Sequence, residues 1–85
     1  MESRMRAMPT DMGGLLRYLR ERADLSPEYV ALEIGRSARV IGDWERNYRS
    51  PRLVHLRQLA RLYGVPIAVL VDAATIPEEI TAGVA

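Results

Sequence analysis

Seven arginines lie between Arg36 and Arg61, where only Asp43 and Glu45 oppose them. A guanidinium donates from a rigid planar fork that matches two acceptors at once, such as two phosphate oxygens or the O6 and N7 of guanine. Gathered on one stretch of chain, such groups suit a polyanion that also presents base edges. The rest of the chain is different: residues 1–35 carry five arginines against six acids, and residues 64–85 carry three acids and no base. A net charge of only +1 therefore hides a basic segment between two acidic ones. All twelve basic residues are arginine. A GC-rich coding sequence produces that bias as readily as recognition does, so the clustering carries the signal rather than the residue choice.

Other chemistry is poorly supplied. With no cysteine and one histidine, thiol catalysis, cysteine zinc sites and two-histidine metal sites are excluded. No Ser/His/Asp arrangement, carboxylate pair or phosphate-cradling glycine loop is placed for catalysis, and Gly13-Gly14 is a weak signal at a helix start. The expectation is a non-enzyme without metal, cofactor or small-molecule ligand. The longest apolar run, Val65 to Val71, is too short for a membrane span, and the first residues lack a signal-peptide core, so a cytoplasmic chain is expected.

The elements that must hold the arginines are short. Eighty-five residues make one unit, 48% apolar and 27% charged, which is a folding composition. Without disulfides its core must be compact and mostly helical, or completed by a partner chain. Five helices fit the spacing of apolar residues and the punctuation by Gly and Pro. Met12, Leu16, Leu19 and Ala23 share one face of a first helix from about Asp11 to Ala23. Ser26-Pro27-Glu28 caps and opens a second, which runs to Ile34 and stops at Gly35. Ser37 caps a third, through Trp44 to about Arg46, with Val40, Ile41 and Trp44 inward and Asn47 as a left-handed exit. Leu53, Leu56, Leu59, Ala60 and Tyr63 line a fourth that stops at Gly64, and His55 is read as lying off this stripe, on the surface, with a phosphate contact as the lesser alternative. Pro66 opens a fifth through Leu70 or Ala73, although the β-branched run Val65, Ile67, Val69, Val71 leaves a strand open. The expected organisation is all-α: an N-terminal arm over 1–10, a five-helix domain over 11–73, and a tail or sixth helix over 74–85.

The second and third predicted helices meet over a short turn, with the small Ala31 where they touch and Gly35 where the chain bends. Leu25-Ser26, Val30-Ala31, Ile34-Gly35-Arg36-Ser37, Ile41, Trp44-Glu45-Arg46-Asn47, Pro51, Leu56, Leu59-Ala60, Tyr63-Gly64-Val65 and Leu70 follow in the order found in the Cro/repressor-like helix-turn-helix domains, the XRE family. From Asp11 to Leu70 the sequence resembles that family. The resemblance implies a lambda-repressor-like fold that binds double-stranded DNA, usually as a homodimer on an inverted repeat, and regulates transcription, most often as a small repressor. The rival is a protein-interaction module on the same fold, such as an antitoxin or the partner of another regulator.

On this resemblance the third helix is the recognition helix. Its base-reading positions fall on Ser37, Ala38 and Arg39, with Asp43 one turn later. Arg39 is the expected guanine reader and Ala38 faces a thymine methyl. Ser37 serves the helix cap ahead of any base. Asp43 either accepts from cytosine N4 or holds Arg39 at i,i+4 spacing, and the second is favoured because phosphates repel a carboxylate. Arg36, Arg46, Asn47, Tyr48, Arg49 and Arg52 flank the groove as phosphate contacts. Arg20 and Glu45 match a structural salt bridge between the first and third helices, and Trp44 belongs to the core. Pro27 stands where the family commonly has a glutamine that touches phosphate. Arg4 and Arg6 could reach a minor groove from the arm. Val69, Val71, Ile76, Ile80 and Val84 exceed what a five-helix core buries and, with Leu70, form the expected dimer interface.

Overall fold

The computed structural model describes residues 11–72. Among them every regular element is helical: α1 (Met12–Arg22), α2 (Pro27–Ile34), α3 (Ala38–Glu45), α4 (Leu53–Tyr63) and α5, described over 67–72. Arg4, Arg6, Ile76, Ile80, Val84 and the helix start expected at Thr75 lie outside the described residues.

Three of the helices begin as their sequences require. Asp11, Ser26 and Ser37 each adopt extended backbone, and each side chain accepts the amide three residues on, at Gly14, Tyr29 and Val40. Those bonds satisfy amides that the first turn leaves without a partner. The helix ends share one device. A left-handed residue at Asp24, Gly35, Asn47 or Gly64 reverses the chain. The next amide then bonds to the carbonyl five residues back: Leu25 to Arg20, Arg36 to Ala31, Tyr48 to Asp43 and Val65 to Ala60. At Gly35 and Gly64 the backbone sits near φ 74° and 73°, a region a β-carbon disfavours.

The strand left open after Pro66 does not form. Val69 donates to the Pro66 carbonyl at 3.0 Å, a helical turn, and Leu70 is fully buried beneath it. Packing requires Leu70 on the inner side, which a helix provides here without a neighbouring strand.

The core gathers Leu15, Leu16 and Leu19 of α1, Val30, Ala31 and Ile34 of α2, Ile41 and Trp44 of α3, the α4 stripe and Leu70. Two expectations for α4 are corrected. Leu53 is exposed, since the first turn overhangs the core, and His55 is buried at 9% exposure. His55 precedes Leu59 by four residues and so continues the apolar stripe.

α3 packs against both α1 and α2. Its seam with α1 is close: a β-carbon on Gly13 would stand 2.5 Å from the Glu45 carbonyl oxygen and 2.8 Å from Asn47. Gly13 is thus needed for approach, a reason its sequence position did not reveal. Gly42, within α3, meets only the mobile end of Arg46, at 3.0 Å. Gly13→Ala is expected to destabilise the fold by about 1–3 kcal/mol through backbone overlap. Gly42→Ala should be neutral or stabilising by up to about 1 kcal/mol from helix propensity. Urea unfolding midpoints of the two variants would therefore move in different directions or by clearly different amounts.

Candidate nucleic-acid interface

The outward side of α3 is fixed by what grips its inward side. Ile41 and Trp44 are buried at 1% and 4% exposure. Between them and α1, Arg20 Nε donates to Glu45 Oε2 at 2.6 Å and Arg20 Nη2 to Glu45 Oε1 at 3.1 Å, with Arg20 Nη1 donating to the Leu25 carbonyl at 2.8 Å. Both side chains are about nine-tenths buried. Every arm of the guanidinium is used, and the Glu45 carboxylate holds Arg20 firmly protonated.

A second clasp closes the end of α3 onto the start of α1. Asn47 Oδ1 accepts the Gly13 amide at 2.9 Å, and Asn47 Nδ2 donates to Asp11 Oδ2 at 2.9 Å. Asn47, expected at a phosphate, instead has its carboxamide engaged by α1. Its hydrogen bond, followed by that from the Gly14 amide, keeps the Asp11 carboxyl below the usual carboxylate range. Because the folded-state value is depressed, this stabilisation is present above the unfolded carboxylate value and fades as pH falls through the folded one.

Held this way, the head of α3 presents Arg39 to solvent, with no hydrogen bond or ion pair to any described residue. Ser37 is exposed and caps the helix, its Oγ accepting from Val40 at 3.2 Å. Ala38 is half-buried and packs partly against the core, so its methyl is only partly presented. Asp43 differs from expectation. It does not hold Arg39; it pairs with Arg46 at 3.2 Å and Arg49 at 3.7 Å. The chain reverses at Asn47 and brings the following loop back over Asp43, whose carbonyl receives the Tyr48 and Arg49 amides. Arg46 also lies over the Tyr48 ring, 5.1 Å from its centroid.

Beyond this loop lies a cleft of about 300 Å³ bordered by Arg36, Arg49, Ser50 and Arg52. Trp44 and His55 line its buried side, their rings 5.1 Å apart. Sequence reasoning placed the arginines here and read His55 as a surface residue with phosphate contact only a lesser alternative; its ring is instead buried, and Nε2 accepts from Arg36 Nε at 3.2 Å. Arg39 is exposed on the first turn of α3, and the arginines of the cleft come from the turn before that helix and the loop after it.

Comparison with known proteins agrees with that geometry. A family model described as helix-turn-helix matches residues 16–70. The chain belongs to the helix-turn-helix family. The cryptic phage CTXphi transcriptional repressor RstR of Vibrio cholerae is 43% identical over 57 residues, which are 67% of this chain and 51% of that protein. The chain thus spans about half the length of this curated relative. No solved structure matches it.

Within this helix-turn-helix domain, α2 and α3 are the paired helices and Gly35-Arg36-Ser37 the turn. Leu70, expected at a dimer interface, is a core residue at 0% exposure and is removed from it. Val69 and Val71 are half-buried. No helix among the described residues is long and apolar enough to cross a membrane.

The Arg20–Glu45 pair yields a stability test. Arg20→Ala leaves Glu45 charged, buried and unpaired, and should cost about 3–5 kcal/mol. Replacing both partners with apolar residues of similar volume should recover most of that loss, as read from chemical denaturation of the single and double variants.

Proposed function

We propose that this helix-turn-helix protein binds double-stranded DNA sequence-specifically through α3 and acts as a small dimeric repressor of transcription. The observation that carries the reading is Arg39, exposed and without a described partner on the first turn of a helix immobilised at its other end. A free guanidinium there can take the O6 and N7 edge of guanine once α3 enters a major groove. Arg36, Arg49 and Arg52 on one side, with Arg46 and Tyr48 beside them, supply phosphate contacts that set the register. Ser37 and Ala38 border the same edge, while Asp43 acts on the backbone contacts by orienting Arg46 and Arg49. The relative's description as a transcriptional repressor supports the regulatory role.

As a homodimer, two such helices would meet successive major grooves about 34 Å apart on one face of an inverted repeat. Val69, Val71 and the apolar residues of the tail, Ile76, Ile80 and Val84, are the proposed contact between copies. The protein then works in the cytoplasm, and its occupancy follows its concentration. No catalytic step is part of this reading.

Selection from random duplexes should recover a palindromic site. Arg39→Ala should lose about 1–3 kcal/mol of discrimination at one position of each half-site. By contrast, Arg49→Ala should weaken all sequences alike and reduce the salt slope by about 1. A protein-interaction module would differ at the first step, with no duplex enriched and its apolar contact nearly insensitive to salt.

A further inference from the structure

The basic cleft behind α3 contains a conflict at its buried side. His55 Nε2 accepts from Arg36 Nε at 3.2 Å and also lies 3.2 Å from Arg36 Nη2, while Nδ1 faces the Arg52 amide at 3.4 Å. A neutral imidazole has one accepting nitrogen and one N–H, so it can accept at only one of these two places. The shorter, doubled contact assigns Nε2 as the acceptor and leaves the proton on Nδ1. An imidazolium could accept at neither.

The charges facing His55 have one sign. Arg36 comes from the turn, Arg52 from the N-cap of α4 and Arg49 from the connecting loop, while α3 contributes the uncharged Trp44 and Val40. No described carboxylate borders the cleft; Asp43 touches Arg49 from outside it, at 3.7 Å. Burial, then Arg36 and Arg52, hold the His55 pKa below the ordinary histidine value. The cleft is therefore a cationic hollow with a neutral histidine at its base, a lining that suits an anion.

We propose that this cleft takes one DNA phosphodiester and that His55 is its proton-linked ligand. The proposal rests on the DNA-binding reading above and adds a group to it. Seating a phosphate among the three arginines offsets part of their repulsion and gives a charged ring an anion to pair with. A proton from solvent then adds to Nε2, which donates it to a phosphate oxygen, while Arg36 leaves the ring nitrogen and donates to the same phosphate. The one bond formed is Nε2–H, its proton taken from solvent, and no bond of the phosphodiester breaks; the complex holds one more proton than its separated parts. The sign of the linkage follows. The free histidine titrates low and the bound one higher, so affinity rises as pH falls between the two values, by at most about tenfold per pH unit for each site.

Because the chain has one histidine, its ring protons give a single NMR titration curve for each state. The experiment is that titration between about pH 5 and 8, without DNA and with a saturating duplex recovered by selection. It is accompanied by duplex affinities of the wild type and His55→Gln across the same range. Free His55 should titrate below about 6.5, and the duplex should raise it by about one pH unit or more. Wild-type affinity should strengthen toward low pH, whereas His55→Gln, which keeps an acceptor for Arg36 but carries no titrating proton, should lack that added pH dependence. If the duplex binds and the His55 curve stays in place, or if the variant keeps the wild-type pH slope, the proposal is overturned and DNA binding stands. If no duplex binds at any pH, both fall. The NMR arm uses the wild type and so does not depend on the variant's folding.

Discussion

The buried pair between Arg20 and Glu45 is the constraint on which the remaining geometry depends. Helix α3 is only eight residues long, too short to be stable by itself in water. Its form and its direction must come from tertiary contacts. Ile41 and Trp44 supply apolar burial, which is strong but tolerant of small rotations. The bidentate ion pair supplies direction, because a guanidinium fork and a carboxylate meet well in few orientations. Such pairs add little net stability when compared with an apolar replacement. Here the pair's contribution lies in fixing which residues of α3 face outward, and Arg39 is outward because Glu45 is held inward.

The same pair explains two features that otherwise look unrelated. Bringing α3 close enough to α1 for Arg20 to reach Glu45 puts the Glu45 carbonyl against Gly13, where a β-carbon would have no room. The chain leaving α3 must then reverse at once, which it does at Asn47 in the left-handed region. That reversal carries the Asn47 side chain onto the amide of Gly13 and the carboxylate of Asp11. It also returns the loop over Asp43, so that the acid braces Arg46 and Arg49 rather than Arg39. One close contact between two helices therefore shapes both the exposed side of α3 and the loop that follows it.

Much of this was legible in the sequence because it is local. Ser26-Pro27-Glu28, Ser37, Gly35 and Gly64 encode helix ends through their own backbone chemistry, and each end lies where the spacing predicts it. The core stripe, Trp44 and the Arg20–Glu45 match were equally available, the last through family resemblance. What remained hidden depends on residues far apart in the chain. Gly13 is indistinguishable from a weak helix start until Glu45 is brought beside it. Asn47 reads as a polar loop residue until Asp11 and Gly13 are its neighbours. Asp43 has arginines four residues before it and three and six after it, and only the path of the loop decides among them. Leu70 reads as an interface residue because the depth of the core under α5 is not a periodic property. His55 is a different case, since its four-residue spacing from Leu59 already placed it on the buried stripe and its polarity masked that signal.

The arrangement separates two tasks that a nucleic-acid reader must combine. In the proposed reading the scaffold holds Arg39 toward base edges, while the arginines of the turn and loop meet phosphates. The most direct test of this division is to titrate isotope-labelled protein with a selected duplex and follow its backbone amides by NMR. The account predicts the largest changes at Arg36, Ala38, Arg39, Arg49 and Arg52, with Leu32 of α2 and Leu62 of α4, which do not line the cleft, nearly unmoved. Large changes confined to Leu32 and Leu62, with the α3 amides unmoved, would contradict it.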